Sequence, residues 1–297
     1  MYRVGMIGLG RMGMPIARNL LERGFEVIGY RRQGSPELVA AGGSTAASSA
    51  EVAAQADVLL SILPDAHTVE EVVCGETGTL TTLRAGTVHI EMSTVDVGRK
   101  SFVRDAVRDK GGDLLDCPIS GSPGMIAPRL ATTFASGEPA SVETVRPVLD
   151  AISGPWVYTG AFGTGAHLKY VAMMLVAVHT AAAAEAMVLA RRSGLDLELV
   201  QRTLDNSIAA SAIWKQRGPV MRERAWAPPA PGPVGTLHSV LEQVEEHAAC
   251  VGMPTPVFTS AKAVFDKAVR DEWGELDIAC VHDQILGVSA LAREEPS

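Results

Sequence analysis

Up to about residue 160 the chain alternates short apolar runs with stretches of helical spacing, the pattern of a doubly wound parallel sheet. The runs at 3–7, 26–30, 58–62, 88–91, 114–117, 131–135 and 156–158 predict strands. Between the first two, Ile16 and Leu20 share one face of a helix predicted over 12–23, with Pro15 in its first turn and Gly24 at its end. Past Gly165 the spacing turns wholly helical: a long helix at 165–193, then 197–204, 237–251 and 256–269. The Ala-Pro-Pro-Ala-Pro-Gly-Pro stretch at 227–233 cannot sustain a helix and predicts an extended loop. The fold class expected is therefore α/β, a Rossmann-type sheet domain over 1–161 joined by a long helix to an all-helical domain over 162–297.

Length and composition agree with two domains. The chain has 297 residues, against about 150 per domain on average. Apolar residues make up 47% but aromatics only 5%, so the interior is filled by Ala, Val, Leu, Ile and Met. The net charge of −8 is shared equally, 14 basic against 18 acidic residues in 1–161 and 12 against 16 in 162–297. Neither half is basic, which disfavours nucleic acid or an anionic membrane as a partner. Cys74, Cys117, Cys250 and Cys280 are widely spaced with no CxxC or Cys/His cluster, so no metal site is expected and a reducing, cytoplasmic setting fits. The stretch 171–190 has membrane-crossing length, yet it is rich in Ala and Met and carries His179 and Glu185 near mid-span. A helix covered by protein on all sides is the expectation.

Gly8-Leu9-Gly10-Arg11-Met12-Gly13 is a GxGxxG that follows a predicted strand and opens a predicted helix. Gly8 permits the tight turn, Gly10 lets backbone approach a pyrophosphate, and Gly13 allows close helix-strand contact, while the helix N-terminus supplies amide donors. All six residues are expected at a dinucleotide. An acid that would bind the ribose 2′-hydroxyl of NAD is expected about 20 residues on. The second strand instead ends in Gly29-Tyr30-Arg31-Arg32. Two guanidiniums suit a 2′-phosphate, so Tyr30, Arg31 and Arg32 are expected to select NADP(H), with NAD(H) still possible.

Six lysines occur, and five have polar sequence neighbours. Lys169 instead heads the apolar helix, in Gly163-Thr164-Gly165-Ala166-His167-Leu168-Lys169, where one domain hands over to the next. Desolvation there would lower its pKa toward neutrality, as proton transfer to a carbonyl or from an alcohol requires. The spacing alone is equally compatible with a lysine whose stem lies on apolar surface and whose head is in water. His67, His167, His179 and His238 fall in no metal-ligand spacing and read as structural, as do Trp214 and Trp226.

The glycine motif followed by Asn19-Leu20, then Leu63-Pro64-Asp65, Met92-Ser93-Thr94, Asp116-Cys117-Pro118-Ile119-Ser120-Gly121-Ser122, the Gly163 to Lys169 run and Gly274-Glu275-Leu276-Asp277, resembles in order and rough spacing the β-hydroxyacid dehydrogenases. The resemblance spans nearly the whole chain. It implies that Lys169 is the catalytic lysine, that Leu63, Pro64 and Thr94 touch the cofactor near its nicotinamide half, and that Ser120, Gly121 and Ser122 receive the substrate. It also implies a homodimer or tetramer interlocked through the 165–193 helix.

Departures from the family pattern bear on substrate. Two adjacent asparagines usual after the lysine are Ala172 and Met173 here, so Met173 is expected to line a more apolar substrate pocket. The family's Lys-Asp pair falls near Ser239-Val240, and no lysine lies between Lys215 and Lys262. Its third glycine after the substrate serine is Ser122, and its usual Gly-Thr is Pro128-Arg129. The function expected is NADPH-dependent oxidoreduction of an aldehyde, ketone or 3-hydroxyacid-like substrate with Lys169 as general acid/base. Two alternatives are imine reduction, which the apolar positions favour and Lys169 disfavours, and a dinucleotide-binding scaffold without turnover.

Overall fold

A computed structural model of the chain describes residues 2–287. They form two compact units that divide between Lys169 and Tyr170.

The first unit holds nine strands: β1 (Arg3–Ile7), β2 (Glu26–Tyr30), β3 (Ser44–Thr45), β4 (Val58–Ser61), β5 (Val88–Glu91), β6 (Asp113–Asp116), β7 (Ile119–Ser120), β8 (Thr132–Ser136) and β9 (Trp156–Gly160). Seven helices interleave: α1 (Gly13–Glu22), α2 (Pro36–Ala40), α3 (Ser49–Gln55), α4 (Ala66–Cys74), α5 (Val97–Asp109), α6 (Pro123–Ile126) and α7 (Pro139–Ile152). The sheet order is β3-β2-β1-β4-β5-β6-β8-β7, with β9 beside β8. From β3 to β6 every pairing is parallel, whereas β8 runs antiparallel to both β6 and β7. Strand order reverses between β2 and β4, both of which flank β1, and that switch point is where open α/β sheets bind ligands.

The strand runs are buried on both faces, as in a sheet covered by helices: Val4, Met6, Leu59, Leu60 and Ile90 have no exposed surface. Ile16 and Leu20 are likewise fully buried on the inner face of α1. Gly5 explains how closely α3 approaches β1, since a Cβ there would lie 2.5 Å from Val52. Asn19, a polar residue on the buried face, is satisfied by donating to Ile126 O at 2.8 Å and Ile152 O at 3.4 Å, and so ties α1 to α6 and α7.

The long helix α8 (Thr164–Arg192) begins in the first unit and continues into the second. The two compact units divide at Lys169/Tyr170, because the helix's first turns are hydrogen-bonded into the sheet unit. Within this single chain α8 is covered over only part of its surface. Only 39% of its most apolar stretch is buried, and Val171, Leu175 and Leu189 are 50–69% exposed.

The second unit adds α9 (Leu197–Leu204), α10 (Ala212–Glu223), α11 (Val234–Cys250), α12 (Pro256–Arg270) and α13 (Val281–Leu286). The periodicity missed α10 because Gly218-Pro219 reads as a break. Gly218 is in fact the point where α9 presses on α10, for a Cβ there would lie 2.0 Å from Gln201 Oε1. The proline-rich loop before α11 is held by Asp277, 1% exposed, which accepts from Gly232 N at 3.2 Å and pairs with Arg217. The Gly274 to Asp277 element thus has a structural task. Trp214 and Trp226 are buried, as expected.

Candidate active site

The switch point opens a cleft of about 360 Å³ in the first unit. Of the expected cofactor residues, Gly8, Leu9, Gly10, Tyr30, Arg31, Arg32, Leu63 and Pro64 line it. Gly8 has φ +95°, and a Cβ on it would lie 2.2 Å from Ile62 O. Around Gly10 there is nothing within 4 Å of a built Cβ, which leaves the open backbone that a pyrophosphate needs. Gly13 lies beneath the turn, where a Cβ would meet Gly8 O at 1.8 Å. No side chain caps α1 and no acid occupies its first turn, so its amide donors and dipole are available to an anion. Arg11 is exposed and Met12 half-buried at the head of α1. Leu9 keeps its side chain in the core. These features fit a dinucleotide.

Arg31 and Arg32 are exposed, and neither guanidinium pairs with a carboxylate among the described residues. Thr94 does not line the cleft. Gln33, Ser49, Thr68, Glu71 and Thr77 do, although no motif points to them. They come from α3, α4 and the loops that follow β2 and α4, and only the topology brings them to the switch point.

Lys169 is 7% exposed and donates to Ile119 O at 2.9 Å. That contact sets its ammonium against β7, beside the Ser120-Gly121-Ser122 turn. Gly121 lies close under β8's approach, where a Cβ would come 2.7 Å from Ala131 Cβ, and Ser122 precedes α6 without capping it. Lys169 has no carboxylate partner among the described residues, and burial lowers its pKa from 10.5 to about 8. The structure therefore brings the expected catalytic lysine and the expected substrate turn together. Met173 lies one helical turn beyond Lys169, half-buried, in the second unit.

The start of α8 is held by β6. Ala166 N donates to Asp116 Oδ2 at 2.8 Å, and Gly165 is needed because a Cβ would lie 2.5 Å from Phe134 O and 2.9 Å from Asp116 O.

The most deeply buried lysine is one of the five that the sequence places in polar surroundings. Lys100, on α5, is 1% exposed despite Arg99, Ser101 and Arg104 beside it in sequence. Its Nζ lies 2.7 Å from Asp116 Oδ1 and 3.9 Å from Glu91 Oε1. Burial pulls its pKa down, but Asp116 and Glu91 outweigh that and hold it above the ordinary lysine value. Beyond Glu91 the chain of contacts reaches Ser61, whose Oγ donates to Glu91 Oε2 and meets His89 Nε2 at 2.8 Å. Burial drives His89 to about 4, so its ring is neutral. All of these groups are fully enclosed, so none can touch a substrate. His238, read from the sequence as structural, meets Asp266 at 2.8 Å.

Residues 3–160 match the family described as the NAD binding domain of 6-phosphogluconate dehydrogenase. Residues 163–283 match the family described as NAD-binding of NADP-dependent 3-hydroxyisobutyrate dehydrogenase. The chain belongs to the β-hydroxyacid dehydrogenase family. Membership places it among the nicotinamide-dependent oxidoreductases acting on CH–OH or C=O groups. Glyoxylate/succinic semialdehyde reductase 1 of Arabidopsis thaliana is 30% identical over 286 residues, 95% of this chain and 98% of that protein. Mitochondrial 3-hydroxyisobutyrate dehydrogenase of Mus musculus is 33% identical over 240 residues, 80% of this chain and 68% of that protein. A solved 3-hydroxyisobutyrate dehydrogenase from Salmonella typhimurium, 28% identical, superposes with a TM-score of 0.87 over 96% of this chain and all of that one. An imine reductase from Pseudomonas sp., 22% identical, shares the fold with a TM-score of 0.61 over 94% of this chain and 98% of that one.

Proposed function

We propose that the protein is an NADPH-dependent reductase of small aldehydes or ketones, reversible toward 3-hydroxyacid-like alcohols, with Lys169 as proton donor and acceptor. The observation that carries this reading is Lys169 itself: buried, without a carboxylate, with a pKa near 8, and hydrogen-bonded beside the Ser120 turn. The Gly8–Gly13 turn would hold the pyrophosphate of a dinucleotide, whose nicotinamide ring would supply or accept the hydride. In reduction, the Lys169 ammonium gives its proton to the carbonyl oxygen as that oxygen gains charge; in oxidation, the neutral amine takes the proton from the alcohol. Ser120 and Ser122 offer hydroxyls to a substrate carboxylate, and Gly121 leaves its backbone approachable. Ala172 and Met173 make the neighbouring helix turn apolar, which supports a substrate less polar than a small dihydroxy acid.

Arg31 and Arg32, uncommitted at the end of β2, support NADP(H) over NAD(H). The double variant Arg31→Ala/Arg32→Ala is expected to raise the KM for NADPH by about 10–100-fold, from two lost charge-assisted contacts, and to leave the KM for NADH nearly unchanged. An unchanged NADPH KM would remove the assignment.

The exposed apolar residues of α8 support a homodimer or tetramer in which a second copy covers that helix. Free thiols at all four cysteines support a reducing, cytoplasmic setting.

A second reading, imine reduction, is favoured by Ala172 and Met173. Following NADPH absorbance with glyoxylate, succinic semialdehyde, 3-hydroxyisobutyrate (with NADP) and 1-pyrroline decides between the two. Turnover confined to the cyclic imine would replace the carbonyl reading; NADPH binding without any turnover would leave a scaffold.

A further inference from the structure

The buried charge at Lys100 sits at the junction of three segments that the proposed function uses. Its Nζ donates to Ser93 O at 2.5 Å and to Asp116 Oδ1 at 2.7 Å. Ser93 is fixed from two further directions: Glu91 Oε1 accepts from its backbone N at 2.6 Å, and its own Oγ accepts from Leu63 N at 2.8 Å. The loops after β4 and β5, which carry Leu63-Pro64 and Thr94, are thereby pinned to each other and to the lysine. On the other side, Asp116 Oδ2 accepts from Ser136 Oγ at 3.0 Å and from Ala166 N at 2.8 Å, in the first turn of the helix that bears Lys169 three residues later.

Fold stability alone is a poor account of this arrangement. Two carboxylates and one ammonium without solvent are costly to bury, and apolar residues of the same volume generally stabilise as well or better. What the ion cluster does that apolar packing cannot is set direction. Three of its contacts fix backbone groups, Ser93 O, Ser93 N and Ala166 N, and each of these belongs to a loop or turn that carries a candidate site residue. The surplus negative charge is met by Ala166 N at the amino end of α8, so the helix that presents Lys169 is itself one of the cluster's counter-charges.

We propose that Lys100 is a positioning residue: through Asp116 it sets the first turn of α8 and hence Lys169, and through Ser93 it sets the loops that receive the nicotinamide half of the cofactor. This rests on the proposed roles of Lys169 and the cofactor loops, so the test needs a readout independent of turnover. In the full chain, the pH dependence of Lys169 acylation by acetic anhydride, read by peptide mass spectrometry, reports the lysine's setting directly. NADPH binding by fluorescence and steady-state reduction of succinic semialdehyde complete the set.

Asp116→Asn is expected to move the midpoint of Lys169 labelling upward from about 8, to lower labelling at pH 7.5 several-fold because less of the amine is neutral there, and to lower kcat with little change in the KM for NADPH. Ser93→Ala is expected to do the reverse, raising the NADPH dissociation constant about 3–10-fold while Lys169 labelling stays as in the parent. Lys100→Met combines both effects; if it does not fold, the other two variants carry the test. A purely structural cluster would lower the melting temperature in all three yet leave the Lys169 labelling profile and NADPH affinity untouched, and that result would overturn the proposal. A shifted labelling profile in Asp116→Asn with unchanged kcat would instead support the positioning role and count against Lys169 as the proton donor.

Discussion

Two lysines in the same unit are buried to nearly the same degree, and their pKa values are moved in opposite directions. Around Lys100 the interior supplies two carboxylates, Asp116 and Glu91, and the ammonium is locked in its charged form. Around Lys169 the described residues supply one carbonyl, Ile119 O, and no carboxylate, so burial dominates and the pKa falls to about 8. The first arrangement holds geometry and exchanges no proton near neutral pH. The second leaves a lysine able to give and take a proton there. The difference lies in the partners that the surrounding strands present, and depth of burial alone would not distinguish the two sites.

The comparison breaks most visibly in turnover. Lys169→Ala is expected to lower kcat for carbonyl reduction by about 10²–10⁴-fold, the usual contribution of a positioned acid or base, with NADPH affinity close to wild type. In the parent, reduction should decline as pH rises past about 8, because the proton to be donated is gone, and alcohol oxidation should rise through the same range. A near-normal kcat in the variant, or pH profiles flat between 7 and 9, would leave Lys169 outside the chemistry.

Stability should separate the two lysines in sign. Lys100→Met strands two buried carboxylates and is expected to destabilise by about 3–5 kcal/mol, seen as a large fall in melting temperature. Lys169→Met removes a lone buried charge. Since the folded pKa of Lys169 lies below the unfolded value of 10.5, the lysine is protonated in both states below about pH 8, and burying its charge costs about 3 kcal/mol there. That cost fades as pH rises from 8 to 10.5. Lys169→Met should therefore match or exceed the wild type in melting temperature at pH 7, with the advantage shrinking by pH 10. Equal losses for the two variants would mean that the two sites are not the opposites described here.

How much of this was legible beforehand differs along the same line. The glycine turn could be read from sequence because its cause is local: φ at Gly8, the open space at Gly10 and the close contact of Gly13 with Gly8 O are decided within six residues. Lys169 could be read because it stands at the head of an apolar helix, where any lysine is costly. Lys100 could not. Its own neighbours are charged, and the carboxylates that bury it arrive from β5 and β6, nine and sixteen residues away, once the sheet has formed. Strand β7 escaped for a different reason, since two residues carry no periodicity; its pairing with β8 is what places Ile119 O under Lys169. In helix α10 the Gly218-Pro219 pair marks tight packing against Gln201, where local propensity reads only an interruption.

The smallest expected effect sharpens the comparison from the Lys169 side. Met173 stands one turn beyond the lysine on the same helix face, so Met173→Asn places an amide within reach of either the ammonium or a substrate oxygen. If the amide oxygen turns to the ammonium, it favours the charged form, and the Lys169 midpoint should rise modestly from about 8. If the amide engages substrate instead, kcat/KM for small polar 3-hydroxyacids should rise about tenfold, equivalent to one net hydrogen bond of about 1.4 kcal/mol, while the midpoint stays put. Titration of Lys169 labelling alongside the substrate panel separates the two. Should both readouts match the parent, residue 173 lies outside the pocket, and selectivity must be set by the Ser120-Gly121-Ser122 turn.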